Sequence, residues 1–317
     1  MNDTDRKQVL IGVDIGGTKT AVCAAAASGE ILDRRSFATA GPSDTIKMMV
    51  SAARAMAGRA EAIGISCGGP LDWQRGLILS PPNLPGWDHV AIAEQLSKAL
   101  SAPAWLENDA NAGALAEWRF GAGRGCRNMV FLTCGTGMGA GLMLDGRLYR
   151  GATGLAGEVG HIRLADDGPV GHNKAGSFEG FCSGGGIARL ALRMRGQPHA
   201  PSPLDDVAES EMSARHVAQA ADDGDRFAQD VIAESGRHLG RGLAVIVDML
   251  NPEVIVLGPL SWRLGRRWLD PAMRVLQEEA LSGATAACRV EPAALHESIG
   301  DHAAIAVALD RLGAAAS

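Results

Sequence analysis

The 317-residue sequence lacks the features that mark several classes of protein. It contains no apolar run of the roughly 18 residues that a membrane-spanning helix needs. Its polar start, residues 1–7, does not have the pattern of a secretory signal. A formal net charge of -6 gives no bulk attraction to nucleic acids or anionic membranes. The sequence therefore predicts a cytoplasmic protein whose partners are neither nucleic acids nor membranes.

Cysteine is present but not in a metal-binding pattern. The six cysteines are scattered, mostly within apolar segments, and no pair has the spacing of a metal site: Cys23, Cys67, Cys126, Cys134, Cys182 and Cys288. Buried, reduced thiols are therefore expected, as is usual in cytosolic proteins.

The chain is long enough for about two domains, and two distant segments repeat one pattern. Residues 9–27 and 129–144 each predict a strand, a turn rich in glycine and threonine, and a second strand. Asp14 and Thr133 each lie two residues before the first glycine of their turn. This recurrence predicts a duplicated architecture of two lobes with a cleft between them, each contributing one phosphate-facing turn.

The first turn contains Gly16, Gly17 and Thr18. Glycines permit a positive φ and let backbone amides approach an anion closely. No Gly-Lys-Ser/Thr follows at the spacing of a Walker loop. The alternative is a plain hairpin turn without a ligand.

The second turn also matches a loose dinucleotide-binding fingerprint. Gly135-Thr-Gly137-Met-Gly-Ala140 has its glycines, and Glu158 would be the acid that binds the ribose. That fingerprint requires a helix directly after the glycines. Residues 141–149 instead predict a strand and a turn at Asp145-Gly146. Hydride transfer is therefore disfavoured.

The catalytic candidate is Asp109, within the sequence Leu-Glu-Asn-Asp-Ala-Asn-Ala of residues 106–112. A strand over residues 102–106 and a helix over residues 110–120 place this carboxylate near the helix N-cap. The alternative is that Asn108 or Asp109 only caps the helix.

Other polar groups that a hydroxylated ligand would need lie along the chain. Asn83, in a proline-rich loop, offers a donor and an acceptor, although it could instead close an Asx turn. Glu158 and His161 are three residues apart and reach one ligand if the backbone curls, but a lone histidine is often structural. Glu179 is either a second ligand-binding carboxylate or a solvated charge.

These motifs, taken together and in this order, resemble the ROK family of sugar kinases and repressors. The resemblance is carried by Asp-Ile-Gly-Gly-Thr-Lys19, Pro-Asn-Leu-Pro-Gly-Trp87, Glu-Asn-Asp-Ala-Asn111, Gly-Thr-Gly-Met-Gly139 and Gly-Glu-Val-Gly-His161. It implies an α/β, two-lobed actin-like ATPase fold of the ribonuclease H-like type. A small lobe over residues 1–117, completed by a C-terminal helix over residues 301–317, and a large lobe over residues 118–300 are expected. A homodimer is also implied.

The resemblance assigns roles to individual residues. Asp109 corresponds to the general base that takes the proton of the sugar's primary alcohol. The positions that hold the sugar are Gly68, Asn83, Asn108, Asp109, Glu158, His161 and Glu179. The nucleotide side comprises Asp14, Gly16, Gly17, Thr18, Lys19, Gly135, Thr136, Gly137 and Gly258, with Mg²⁺ bound to ATP and Asp14 as its candidate ligand.

The sequence departs from the family at two places. Many of the family's kinases bind zinc through the motif's histidine and three cysteines, whose counterparts by count are Val170, His172 and Ser177. No structural zinc is therefore expected, and the sequence does not reveal what orients His161. Pro259 stands where the family usually has glycine near the adenosine.

The function implied is an ATP-dependent hexokinase, with glucose as the first candidate substrate. Alternatives within the family are kinases for N-acetylmannosamine, N-acetylglucosamine, another hexose or a glucoside, and polyphosphate as the donor. A sugar-responsive repressor is disfavoured because the eight residues before the first strand are too few for a DNA-binding domain. A catalytically silent sugar-binding protein is the remaining alternative.

Overall fold

The computed structural model describes residues 9–315. The polar start expected at residues 1–7, residue 8, and the last two residues of the expected C-terminal helix, 316–317, lie outside the described part. Within residues 9–315, none of the helices has both the length and the apolar character that a membrane span requires.

The fourteen strands and eleven α-helices of the described chain alternate along much of its length. The strands are β1 Val9–Ile15, β2 Lys19–Ala26, β3 Ile31–Ala38, β4 Ala62–Cys67, β5 Leu71–Asp72, β6 Leu77–Ile78, β7 Ala104–Asn108, β8 Met129–Leu132, β9 Ala140–Leu144, β10 Arg147–Tyr149, β11 Val170–Gly171, β12 Lys174–Ala175, β13 Val254–Leu257 and β14 Arg289–Pro292. The helices are α1 Pro42–Met56, α2 Ile92–Leu100, α3 Asp109–Phe120, α4 Phe178–Cys182, α5 Gly184–Arg195, α6 Ala214–Asp222, α7 Arg226–Leu250, α8 Leu260–Leu264, α9 Arg266–Glu279, α10 Ser282–Ala287 and α11 Ile299–Ala315. Three 3₁₀ turns cover Val159–His161, Pro203–Asp206 and His296–Ser298.

The chain divides into two compact units. Within the described residues, the first comprises 9–125, 148–154 and 294–315, and the second comprises 126–147 and 155–293. These boundaries differ from those expected from the sequence, because residues 118–125, 148–154 and 294–300 belong to the first unit. The buried Glu117 carboxylate explains part of the difference, since it accepts N–H groups from Ala122, Ala294 and Leu295 at 2.9 to 3.1 Å.

The two units contain sheets of the same topology. The first sheet has the order β3-β2-β1-β4-β7 and the second the order β10-β9-β8-β13-β14. In each sheet an antiparallel hairpin, β1–β2 or β8–β9, is extended by two parallel strands on the side of its first strand. The predicted duplication and the predicted actin-like α/β fold class are therefore confirmed.

Helix α11 completes the first unit. A Cβ added at Gly64, on the interior strand β4, would lie 1.9 Å from the Ala304 carbonyl oxygen on α11. Glycine at this position therefore permits the backbones of the strand and the helix to pack directly against each other. Ile305 and Ala308 of the same helix are fully buried with Leu10 of β1.

Glycines also determine the packing of the second unit. Added Cβ atoms at Gly236 and Gly240 of α7 would each lie 2.4 Å from a carbonyl oxygen of α9. At Gly242 the added atom would lie 2.3 Å from the ring of the buried Phe178. Glycine at these three positions therefore lets α9 and the Phe178 ring pack directly against α7.

Candidate active site

The catalytic candidate Asp109 begins α3, directly after β7. Asn108 is the N-cap of this helix, and its Oδ1 accepts the Ala110 N–H at 2.9 Å. Asp109 Oδ1 accepts the same N–H at 2.9 Å, so both capping contacts form. An atom added as Cβ on Gly68 would lie 3.7 Å from Asp109 Oδ2 and 3.8 Å from Asn83 Nδ2. The structure thus brings a carboxylate oxygen, an amide and an open glycine together at one place.

Asn83 is held there by the loop that carries it. Leu84 and Trp87 are buried, and Trp87 Nε1 donates to the Ala40 carbonyl oxygen at 3.1 Å. The Asn83 side chain is exposed and forms no hydrogen bond with any residue from 9 to 315. The Asx-turn alternative is therefore wrong, and the amide remains available to a ligand.

The glycine turn between β1 and β2 belongs to the same unit. Gly16 N–H donates to the Lys19 carbonyl oxygen at 3.0 Å, and Thr18 and Lys19 are exposed. Added Cβ atoms would lie 2.9 Å from the Lys19 oxygen at Gly16 and 2.5 Å from the Asn83 carbonyl oxygen at Gly17. Neither of these glycines has a positive φ. Close backbone approach, rather than left-handed conformation, is what requires glycine here.

The negative charge of the Asp14 carboxylate is destabilised by its surroundings. Burial and the nearby carboxylates of Asp109 and Asp301 raise the pKa of Asp14 to about 6, although a hydrogen bond from Ser66 acts in the opposite direction. An atom added at Gly300 would lie 2.4 Å from Asp14 Oδ2. A bound cation would relieve this repulsion, and Asp14 therefore remains the candidate residue for holding a divalent metal ion.

Sequence analysis overlooked a buried ion pair next to the catalytic candidate. Glu107 is fully buried; its Oε1 accepts the Asn108 N–H at 3.1 Å and Asn111 Nδ2 at 3.0 Å. Its Oε2 accepts Arg150 Nε at 2.8 Å. An acidic residue at a buried strand end was the signal that could have revealed it.

The glycine turn of the second unit follows β8. Gly135 N–H donates to the Gly137 carbonyl oxygen at 3.1 Å, and the Gly135 oxygen accepts the Gly184 N–H at 2.8 Å. Gly184 begins α5, which Ser183 caps, so the turn lies against the N-terminus of a twelve-residue helix. Unpaired N–H groups and the helix dipole favour an anion at such an end. Thr136 is exposed on the turn.

The element after this turn decides against dinucleotide binding. Strand β9 begins at Ala140, and Asp145 and Gly146 form the next turn with φ of 53° and 75°. No helix follows the glycines, so the hydride-transfer alternative fails structurally.

Gly258, at the end of β13, lies beside the start of the same turn. Its N–H donates to the Leu132 carbonyl oxygen at 2.8 Å, and an added Cβ would lie 2.0 Å from the Thr133 oxygen. The adjacent Pro259 occupies the N-cap of α8, where its missing N–H is tolerated.

Three of the predicted sugar-binding residues lie in the second unit. Glu158 and His161 are exposed at the two ends of a 3₁₀ turn, so the backbone between them curls, as binding of one ligand by both would require. Glu179 is only 7% exposed, and its Oε2 accepts the Met138 N–H at 3.1 Å. His172 Nε2 lies 3.1 Å from the same oxygen. The solvated-charge alternative for Glu179 is therefore wrong.

The counterparts of the family's zinc-binding cysteines do not fit a zinc ion. Val170 offers no donor atom, and the Ser177 hydroxyl caps α4 by accepting the Gly180 N–H at 3.1 Å. Across residues 9–315 no three His, Cys, Asp or Glu side chains are grouped to hold a metal. The six cysteines form no disulfide within the described residues and are buried, and burial raises the pKa of Cys134 to about 12. This reduces its thiolate character and its suitability as a ligand.

Glycine-rich turns that can bind phosphates, a carboxylate that can act as a base and a side-chain amide that can bind a substrate are the groups that a phosphoryl-transfer enzyme requires. The chain belongs to the ROK family, whose sequence model matches residues 10–311. It is similar to a glucokinase of Thermotoga maritima, at 31% identity over 97% of this chain and 99% of the relative.

Solved structures of the ROK family are also similar to this chain. A ROK family glucokinase from Streptomyces griseus, in complex with glucose and AMPPNP, has a TM-score of 0.76 and 32% identity, covering 95% of this chain and 99% of that one. A ROK family transcriptional regulator, a homologue of the E. coli MLC protein, has a TM-score of 0.82 and 25% identity, covering 96% of this chain and 79% of that one.

Proposed function

We propose that this protein is an ATP-dependent hexokinase that transfers the terminal phosphoryl group of ATP to the primary hydroxyl of glucose. The observation that carries the proposal is the placement of Asp109 Oδ2 and the Asn83 amide around the open Gly68. Similarity to glucokinases over nearly the whole chain supports glucose as the substrate.

Asp109 is the proposed general base. Its carboxylate is exposed at the helix N-terminus, while Asn108 shares the capping contact and holds the backbone in place. Taking the proton from the sugar hydroxyl as it attacks phosphorus contributes about 10²- to 10⁴-fold to the rate. Asn83 and Asn108 orient the sugar through their side-chain amides.

In the second unit, the proposed sugar-binding residues are Glu158, His161 and Glu179. Carboxylates accept hydrogen bonds from hydroxyls, and a histidine ring can donate or accept one. These three residues are proposed to bind the remaining hydroxyls and so to select the sugar.

The nucleotide side is assigned to main-chain donors. The proposed residues are Asp14, Gly16, Gly17, Thr18 and Lys19 of the first unit and Gly135, Thr136, Gly137 and Gly258 of the second. ATP-dependent relatives imply a divalent metal with the nucleotide, and we assign it as Mg²⁺, with Asp14 as the residue that would hold it. When bound, the ion offsets the charge of the phosphates.

The test of the base assignment is Asp109→Asn. We expect turnover to fall by about 10²- to 10⁴-fold, while calorimetry shows the dissociation constant for glucose unchanged within about threefold. Asp44→Asn is the matched control, because Asp44 is an exposed acid in the first turn of α1. Wild-type turnover in Asp109→Asn would refute the assignment.

A panel of substrates tests the sugar. ADP release is measured with glucose, N-acetylmannosamine, N-acetylglucosamine and other hexoses, and with polyphosphate replacing ATP. We expect glucose with ATP to give the highest kcat/KM. Preference for an acetamido sugar, or for polyphosphate, would reassign the substrate or the donor.

The likeness to a transcriptional regulator favours a second candidate, a sugar-responsive regulator or silent sugar-binding protein. It predicts sugar binding without phosphoryl transfer to any member of the panel. The exposed Asp109 beside Gly68 and Asn83 favours the kinase instead.

The proposed use of ATP and the six cysteines without disulfides in the described residues support a cytoplasmic location. We propose a homodimer on the basis of the family resemblance alone. Sedimentation analysis of the purified protein tests it, and a monomer at assay concentration would contradict it.

A further inference from the structure

A short hairpin in the second unit brings one histidine against two of the proposed sugar-binding residues. Strands β11 and β12 are joined by His172 and Asn173, whose φ values are 46° and 60°. This left-handed pair turns the chain so tightly that His172 projects toward His161 and Glu179. Its side chain remains 57% exposed.

The first contact is with Glu179. Glu179 Oε2 lies 3.1 Å from His172 Nε2 and accepts the Met138 N–H at the same distance. Both contacts use one carboxylate oxygen, so Oε1 is the oxygen that can accept a hydrogen bond from a ligand hydroxyl. The buried carboxylate is therefore fixed between the glycine turn and the hairpin.

The second contact is with His161. The two imidazole rings are stacked, with centroids 4.7 Å apart and planes inclined by 28°. The His161 ring forms no hydrogen bond with residues 9–315, so the stack is what restricts its rotation. Lys174 of the hairpin also donates to the His161 carbonyl oxygen at 2.6 Å.

The hairpin itself is held firmly. An added Cβ at Gly171 would lie 2.7 Å from both the Gly180 nitrogen and Ser177 Oγ. Ser177 Oγ also donates to the Gly171 carbonyl oxygen at 3.3 Å. The hairpin is therefore packed directly on the start of α4, the helix that carries Glu179.

We infer that His172 is a positioning residue that fixes the His161 ring and the Glu179 carboxylate in the orientation that binds sugar hydroxyls. This inference rests on the proposed function, since it assigns those two residues to sugar binding. His172 does for them what a bound metal ion does for its ligands: it restricts rotamers before the substrate arrives.

The test uses substitutions that keep the left-handed turn. Alanine would be strained at a φ of 46°, whereas glycine and asparagine adopt this conformation readily. His172→Gly removes both contacts, and His172→Asn restores a donor for Glu179 without the ring stack. Asn173→Gly is the matched control, because Asn173 has the same backbone conformation and its side chain forms no hydrogen bond within residues 9–315.

In His172→Gly we expect the KM for the sugar to rise about tenfold while the KM for ATP changes less than about twofold. His172→Asn should lie between this variant and the wild type. Asn173→Gly should match the wild type. An unchanged sugar KM in His172→Gly, or an equal rise in Asn173→Gly, would overturn the inference.

A second measurement does not depend on turnover. The ring proton resonances of His161 should shift in His172→Gly, through loss of the stacked ring, and stay in place in Asn173→Gly. Absence of that shift would also overturn the inference. Failure of the proposed function is distinguishable, because the wild-type protein would then phosphorylate no sugar in the same assay.

Discussion

Arg150 donates from Nε to Oε2 of Glu107 across 2.8 Å, and Glu107 immediately precedes Asn108 and Asp109. The glutamate side chain is 1% exposed and the arginine side chain 15%. The guanidinium also lies over the Trp73 ring at 4.7 Å from its centroid. A buried charge pair thus anchors the strand end from which the proposed base emerges.

Removing one partner of this pair should be more damaging than removing both charges. Arg150→Met leaves the Glu107 carboxylate buried without its cation, and we expect a loss of about 3–5 kcal/mol in the free energy of unfolding. The double variant Glu107→Gln with Arg150→Met should recover much of that loss. Denaturant titrations of the wild type, Glu107→Gln, Arg150→Met and the double variant form a double-mutant cycle. Additive losses would show that the two groups are not coupled.

Asp14 should make stability depend on pH. Its pKa in the folded protein is about 6 against an ordinary value of 3.8, so the folded state binds the proton more tightly. Stability contributed by this group therefore falls as pH rises from about 4 to about 6 and stays low above that.

Asp14→Asn removes this penalty. At pH 8 we expect the variant to be more stable than the wild type by about 1–3 kcal/mol, with the gain fading as pH falls toward 4. Thermal unfolding at several pH values measures it. The same variant should lose kinase activity, and a gain that grew at acid pH would contradict the sign of the shift.

Much of the site could be predicted because local patterns encode it. Asp109 follows an apolar strand, and the glycine turns repeat with the strands around them, so local patterns made them candidates, while their proposed roles come from the family resemblance. By contrast, Glu107 and Arg150 are 43 positions apart, and only the folded chain brings them together. The relation of His172 to His161 depends likewise on two left-handed residues that no hydrophobic pattern reveals.

The fold was predictable to a similar extent. Strand β3, Ile31–Ala38, was not anticipated because most of its residues are exposed, including Asp33, Arg34 and Arg35. It is an edge strand of the sheet, where charged side chains block pairing with another chain. Such a strand has the composition of a loop, and only its pairing with β2 shows what it is.

Metal removal should separate activity from stability. A chelator in the assay is expected to abolish turnover, and added Mg²⁺ to restore it, because the proposed metal accompanies ATP. The melting temperature of the protein without nucleotide should be unchanged by the chelator, since Val170 and Ser177 cannot serve as zinc ligands. A chelator-dependent fall in melting temperature, or zinc found by elemental analysis, would contradict this prediction.

Glycine to alanine should have opposite effects at Gly64, where β4 contacts α11, and at Gly313, on an open part of α11. At Gly64 the new methyl group would meet the Ala304 carbonyl oxygen at 1.9 Å and the Ala308 nitrogen at 2.8 Å. Because both are backbone atoms, the helix must shift, and we expect a loss of at least about 2 kcal/mol in the free energy of unfolding. At Gly313, within α11, nothing lies within 4 Å of the added methyl group. There alanine should stabilise the helix by about 0.5–1 kcal/mol. Urea denaturation of both variants measures the difference, and equal effects of the two substitutions would show that α11 does not pack on β4 in solution.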